Sequence, residues 1–60
     1  MAVIDFTLIE YDADKPWVVV STERRTIVLD AAHEFGAWAR RQWPAPRYEV
    51  RVDPWSLSPD

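Results

Sequence analysis

The only histidine of the chain, His33, lies three residues after Asp30 and directly before Glu34. An imidazole beside two carboxylates could hold a metal ion or act as a general base. A zinc site needs three or four ligands, and the chain has no cysteine and no second histidine. The pattern is more typical of an exposed histidine near the start of a helix, so we predict no metal site.

Serine offers a second possible chemistry, because a serine activated by a histidine and a carboxylate becomes a nucleophile. The candidates are Ser21, Ser56 and Ser58. The sequence contains no nucleophile elbow, and its single glycine, Gly36, lies inside a predicted helix, which also excludes a phosphate-binding loop. We therefore predict a protein that is not an enzyme and that uses no cofactor or small-molecule ligand.

Arginine supplies the remaining candidate chemistry. Six arginines against one lysine form a possible nucleic-acid patch: Arg24, Arg25, Arg40, Arg41, Arg47 and Arg51. Arginines that converged beside exposed tryptophans could bind phosphates while the rings stacked on bases. The pI near 4.9 and three acids within the same stretch favour a solvated surface with weak ion pairs. A nucleic-acid-binding regulator is therefore the alternative hypothesis.

The size of the chain limits how these residues can be positioned. Sixty residues predict one domain over residues 1–53, followed by a tail, residues 54–60, that folds back on the core through Trp55 and Leu57. Folding at this size buries about 60% of the unfolded surface, and without cysteine the remaining way to gain stability is oligomerisation. No leader and no stretch of ~20 apolar residues is present, so we expect a soluble, cytoplasmic protein.

Alternating apolar residues predict several strands. The first three are placed at Ala2–Tyr11, Trp17–Thr22 and Thr26–Leu29, with turns at Asp12–Pro16 and Glu23–Arg25. A fourth strand is predicted at Tyr48–Val52, where apolar and charged residues alternate.

One helix is predicted between the third and fourth strands. Asp30 is a suitable N-cap, and the helix is expected over Ala31–Trp43, with Pro44 ending it. Helical periodicity places Phe35 and Trp43 on the buried face. Gly36 lowers helix propensity by about 1 kcal/mol, which indicates a close approach of the helix to the sheet.

These elements predict a small β-β-β-α-β domain of the α+β class, with a mixed sheet and a single helix packed on one face. Strand order 3-2-1-4 is favoured because the first strand is apolar on both faces, and the first, third and fourth strands should be parallel. Over Ala2–Val52 this order of elements resembles the truncated ribonuclease-H-like domain of HicB-type antitoxins, whose loop glycines are not found here.

A single helix covers only one face of a sheet, and the other face carries apolar residues in this chain. They are Val3, Ile9, Tyr11, Trp17 and Val19. We interpret this face as an interaction surface. The predicted function is a small protein-binding module, a regulator or accessory subunit, that self-associates as a homodimer or binds a protein partner through the uncovered face or a sheet edge. Neither a membrane nor nucleic acid is the expected partner.

Overall fold

The computed structural model describes residues 1–54, which form a three-stranded antiparallel sheet and one helix. The strands are β1, Ala2–Tyr11, β2, Val19–Leu29, and β3, Tyr48–Val52. A short 3-10 turn, Ala32–Glu34, leads into the helix α1, Phe35–Gln42. The α+β class is confirmed. The tail with Trp55 and Leu57 lies outside the described residues, so its predicted packing stays a prediction.

The turn between β1 and β2 is held by an aspartate, as its sequence predicted. Asp12 Oδ1 accepts hydrogen bonds from the backbone N–H of Asp14 at 2.8 Å and of Lys15 at 3.0 Å. The Asp12 N–H in turn donates to the Val18 carbonyl at 2.8 Å. These bonds reverse the chain without glycine, because an aspartate side chain can replace a backbone acceptor in a turn.

The predicted hairpin tip at Glu23–Arg25 is wrong, since these residues continue β2. Glu23, Arg24 and Arg25 pair in regular antiparallel register with Leu8, Thr7 and Phe6 of β1. No glycine or asparagine is available to adopt the turn conformation that a tight hairpin requires. The two predicted strands 17–22 and 26–29 therefore merge into one edge strand of 11 residues.

Losing one hairpin also changes the sheet. The order is β2-β1-β3 and no fourth strand is present among residues 1–54, so the predicted order 3-2-1-4 is wrong, although the last strand does lie beside the first. β3 is antiparallel to β1 rather than parallel, because only one reversal precedes the helical crossover. The resemblance to HicB-type antitoxins was a resemblance in element order, and the observed β-β-α-β order removes its basis.

The helix is shorter than predicted, and Asp30 does not cap it. The backbone turns at Ala31, whose N–H donates to Glu34 Oε1 at 3.3 Å, and regular α-helix begins only at Phe35. The Trp43 N–H donates to the Ala39 carbonyl at 2.8 Å, and Pro44 follows as predicted. The predicted helix phase is confirmed, since Phe35 and Ala39 are buried while Trp43 is half-buried.

The core lies between α1 and one face of the sheet. Ile4 and Phe6 are fully enclosed, and the Phe6 ring lies 5.2 Å from Phe35 and 5.6 Å from Trp43 between centroids. Trp38 extends this aromatic cluster with an edge contact to Trp43 at 5.4 Å. Aromatic side chains bury large areas per residue, which suits a domain with room for one helix.

Gly36 is not placed at a close contact with the sheet, contrary to the sequence-based expectation. It is exposed, and a Cβ there would meet only the end of the Arg40 side chain, at 3.7 Å. Alanine should therefore fit the helix without strain. We expect Gly36→Ala to raise the free energy of unfolding by about 0.4–1 kcal/mol, measured by urea denaturation. A lower value would contradict this expectation and would mean that a Cβ at position 36 is strained.

Candidate functional site

The sheet face that α1 leaves uncovered is polar at its centre. Thr26 Oγ1 donates to Asp5 Oδ1 at 2.6 Å, and Arg24 forms an ion pair with Asp53 across the strands. Arg24 and Arg51 flank Thr7 from the two neighbouring strands. This centre exposes charged and hydroxyl groups to water, and it separates Val3 from the other apolar residues predicted for this face.

Ile9, a predicted contact residue of this face, is already buried by the protein's own chain. It lies between Thr22 of β2 and Glu49 of β3, and only 8% of its surface is exposed. Periodicity along one strand could not reveal this position between two neighbouring strands. Ile9 is therefore a core residue of the monomer.

The exposed apolar residues lie at the two ends of the uncovered face. Val3 and Val28 stand opposite each other at one end, and more than half of each is exposed. Tyr11 and Val19 pair at the other end, about 26 Å away at the spacing of strand residues. Trp17 lies in the adjoining turn and is 75% exposed. The structure thus divides the predicted surface into two separate apolar ends.

Tyr11 belongs to a small network that fixes one of these ends. Its hydroxyl donates to Glu49 Oε1 at 2.6 Å, and Arg51 Nε donates to Glu49 Oε2 at 2.7 Å. The hydrogen bonds from Arg51 and then Tyr11 lower the pKa of Glu49, while the bond to Glu49 raises the pKa of Tyr11. Because the folded-state pKa of Glu49 is lowered, its stabilising effect is present above the unfolded-state pKa and is lost as pH falls through the folded value.

The outer edge of β2 is longer than the sequence predicted, because a turn was expected at Glu23–Arg25. β2 is an edge strand, and every residue from Val19 to Thr26 is exposed. Within the described part of the chain no strand pairs with its outer side. A long strand with a row of free N–H and C=O groups is a template for pairing with another chain.

The six arginines do not converge on one surface. Four form ion pairs: Arg24 with Asp53, Arg25 with Glu23, Arg47 with Glu10, and Arg51 with Glu49. Arg25 also lies over the Trp43 ring at 5.4 Å. Arg40 and Arg41, on the exposed side of α1, have no ion pair among residues 1–54. The arrangement resembles a solvated surface more than a continuous phosphate-binding stripe.

Of the remaining candidates, Ser56 and Ser58 lie outside the described residues. His33 is exposed in the 3-10 turn, and residues 1–54 contain no cluster of three potential metal ligands. A groove of about 380 Å³ between α1 and β3 is lined mainly by apolar side chains, including Phe35, Trp43 and Val50. No helix within the described range is long and apolar enough to span a bilayer.

Comparison with known proteins found no matching family model, no matching curated protein and no matching solved structure. The function must therefore be argued from the surface itself.

Proposed function

We propose that this chain is a small, non-enzymatic protein-binding module that self-associates through the outer edge of β2. The observation that carries the proposal is the position of β2, an 11-residue strand at the edge of the sheet with exposed side chains along most of its length. A homodimer is the simplest assembly, because one edge can pair with a second copy of itself.

The composition of the edge supports this choice over the uncovered face. Exposed apolar residues flank the charged centre of β2, with Val19 and Val20 on one side and Val28 on the other. The uncovered face, in contrast, has a polar centre and its large apolar residue, Ile9, is already covered. An added strand would satisfy the free backbone groups of β2 and reduce the exposure of its valines, whereas the face offers only its two distant ends.

A domain of this size also gains more from association than a larger one does. It has no disulfide, and its core of fully buried side chains is limited to one face of a narrow sheet. Edge pairing adds backbone hydrogen bonds and apolar burial without requiring a larger chain. The expected role is therefore a regulator or accessory subunit whose active form is an assembly.

The proposal predicts a reversible dimer and a proline substitution that abolishes it. Sedimentation velocity at micromolar concentrations should show twice the monomer mass. The N–H of Thr22 points away from β1, so Thr22→Pro should leave the hairpin folded and yield a monomer. Glu23→Pro is the matched control, because the Glu23 N–H faces β1. Proline at this position removes a hydrogen bond within the sheet and should unfold the domain. A native protein that sediments only as a monomer would contradict the proposal.

The alternative function, nucleic-acid binding through the arginines, has a distinct outcome in solution. Binding to random duplex DNA or RNA that weakens steeply with salt would favour it, since each phosphate contact releases counterions. The protein-binding proposal expects no such binding at moderate salt.

A further inference from the structure

We infer that two copies of β2 pair antiparallel about a two-fold axis at Arg24, forming a continuous six-stranded sheet. This inference rests on the proposed self-association and adds the register and the residues that determine it. The partner is a second copy of this chain. The second copy is recognised through the residues of β2 themselves. When two β2 strands run antiparallel, Glu23 of each copy can lie opposite Arg25 of the other.

The backbone of β2 determines which residues can pair across such an edge. Tyr11 donates its N–H to the Arg47 carbonyl at 2.8 Å, and the Asp53 N–H donates to the Asp5 carbonyl at 3.0 Å. The odd-numbered residues of β1 thus form backbone hydrogen bonds with β3. Its even-numbered residues form them with β2, because the backbone groups of a strand point alternately to its two sides. The register with β1 then directs the backbone groups of Thr22, Arg24, Thr26 and Val28 outward.

Only residues whose backbone groups point outward can exchange hydrogen bonds with a second copy. Even-numbered residues of one copy must therefore lie opposite even-numbered residues of the other. Centring the pair on Arg24 places Thr22 opposite Thr26 of the second copy. Glu23 then stands opposite Arg25, and the symmetry of the pair creates this contact twice. Ser21 lies opposite Ile27, and the bulge at Val20 interrupts regular pairing beyond this point. The complementarity therefore consists of the two Glu23–Arg25 contacts between opposite charges.

Neighbouring registers lack this complementarity. Sliding one copy by two residues in one direction places Glu23 opposite Glu23, and sliding it in the other direction places Arg25 opposite Arg25. Like charges directly opposite each other are destabilising, whereas opposite charges contribute about 0.2–1 kcal/mol for each pair. The Arg24 side chains do meet at the axis in the favoured register, and each has Asp53 of its own chain as a counterion, just as Arg25 has Glu23. The favoured register differs from its two neighbours in that it forms two Glu23–Arg25 contacts between the copies.

The irregularity of β2 limits the length of the edge that can pair regularly. The ladder with β1 shifts between Glu10 and Tyr11, so that Glu10 pairs with Ser21 and Tyr11 with Val19, and Val20 is an extra residue. A bulge of this kind interrupts regular pairing at a sheet edge. Regular backbone therefore extends from Ser21 to Leu29, and both Glu23 and Arg25 lie within this stretch.

Charge reversal tests whether the edge is the interface. Glu23→Arg places six arginines around the axis, and Arg25→Glu places four glutamates beside the two Arg24 side chains. Each variant should raise the dimer dissociation constant at least about tenfold. An equimolar mixture should recover a dimer, because each Glu–Arg contact is restored between the two variants. Arg40→Glu has the same charge change as Arg25→Glu but lies on exposed α1, so it should dimerise normally. Far-UV circular dichroism establishes that each variant is folded.

Cysteine cross-linking tests the register, and the native chain has no cysteine that would interfere. Arg24→Cys should oxidise to a covalent dimer, since paired Cα atoms about 5.5 Å apart suit a disulfide. Glu23→Cys and Arg25→Cys should not, because their own copies lie diagonally, about 7–8 Å away. Cross-linking through position 23 or 25 alone would overturn the register.

The results separate the inference from the proposal on which it rests. A native dimer that both charge reversals leave intact would overturn edge pairing and leave self-association at another surface. A native protein that is monomeric throughout would overturn both.

Discussion

Phe6→Ala is expected to unfold most of the protein at room temperature. Phe6 is fully buried and contacts both Phe35 and Trp43, so its loss removes the centre of the aromatic cluster. Replacing a buried phenylalanine by alanine costs about 3–5 kcal/mol, and a chain of this length is stabilised by only about 3–9 kcal/mol. Urea denaturation followed by tryptophan fluorescence would measure the loss directly.

His33→Ala is the matched control for this substitution. His33 is exposed and lies in the 3-10 turn before α1, so its replacement should change the free energy of unfolding by no more than about 0.5 kcal/mol. An effect of His33→Ala as large as that of Phe6→Ala would mean that the histidine has a structural or binding role that its exposed position does not indicate.

Ile9→Glu should also unfold the monomer, rather than acting only on association. The new carboxylate would replace a buried side chain and would stand directly opposite Glu49. Losing the apolar burial costs about 2–5 kcal/mol, and an unpaired charge in the same place adds to that loss. The milder Ile9→Val should cost about 0.5–1.5 kcal/mol, which remains measurable in a folded protein.

Val3→Glu is the control that separates folding from association on this face. Val3 is 54% exposed, so a glutamate there can remain in water and should alter the free energy of unfolding by about 0.5 kcal/mol or less. If Ile9→Glu gave a folded monomer with normal stability, Ile9 would be a contact between copies, and the uncovered face would replace the β2 edge as the interface.

Local patterns in the sequence were sufficient for several elements of the fold. The bounds of β1 and β3 follow from alternating side chains, the Asp12 turn from its side-chain acceptor, and the burial of Phe35 and Ala39 from helical periodicity. Each of these depends on residues within a few positions of one another, so the nearby sequence contains the relevant information.

The candidate surface was only partly predictable, because part of it depends on pairing between distant segments. Val3, Val19 and Trp17 are exposed apolar residues, as the pattern indicated. A sheet edge was predicted as a possible surface, but not one that continues through Glu23, Arg24 and Arg25, because these residues have the composition of a turn. They stay extended through pairing with the long central strand β1, and that pairing joins residues up to 27 positions apart.

The α+β class, the helix phase and the apolar composition of this small domain follow from its sequence. The fold adds that β2 is continuous, that β3 is antiparallel to β1, that Ile9 is covered, and that no strand among residues 1–54 pairs with the outer side of β2. Side-chain periodicity reports which face of a strand is buried, whereas strand continuity, direction and edge position depend on hydrogen bonds between distant segments.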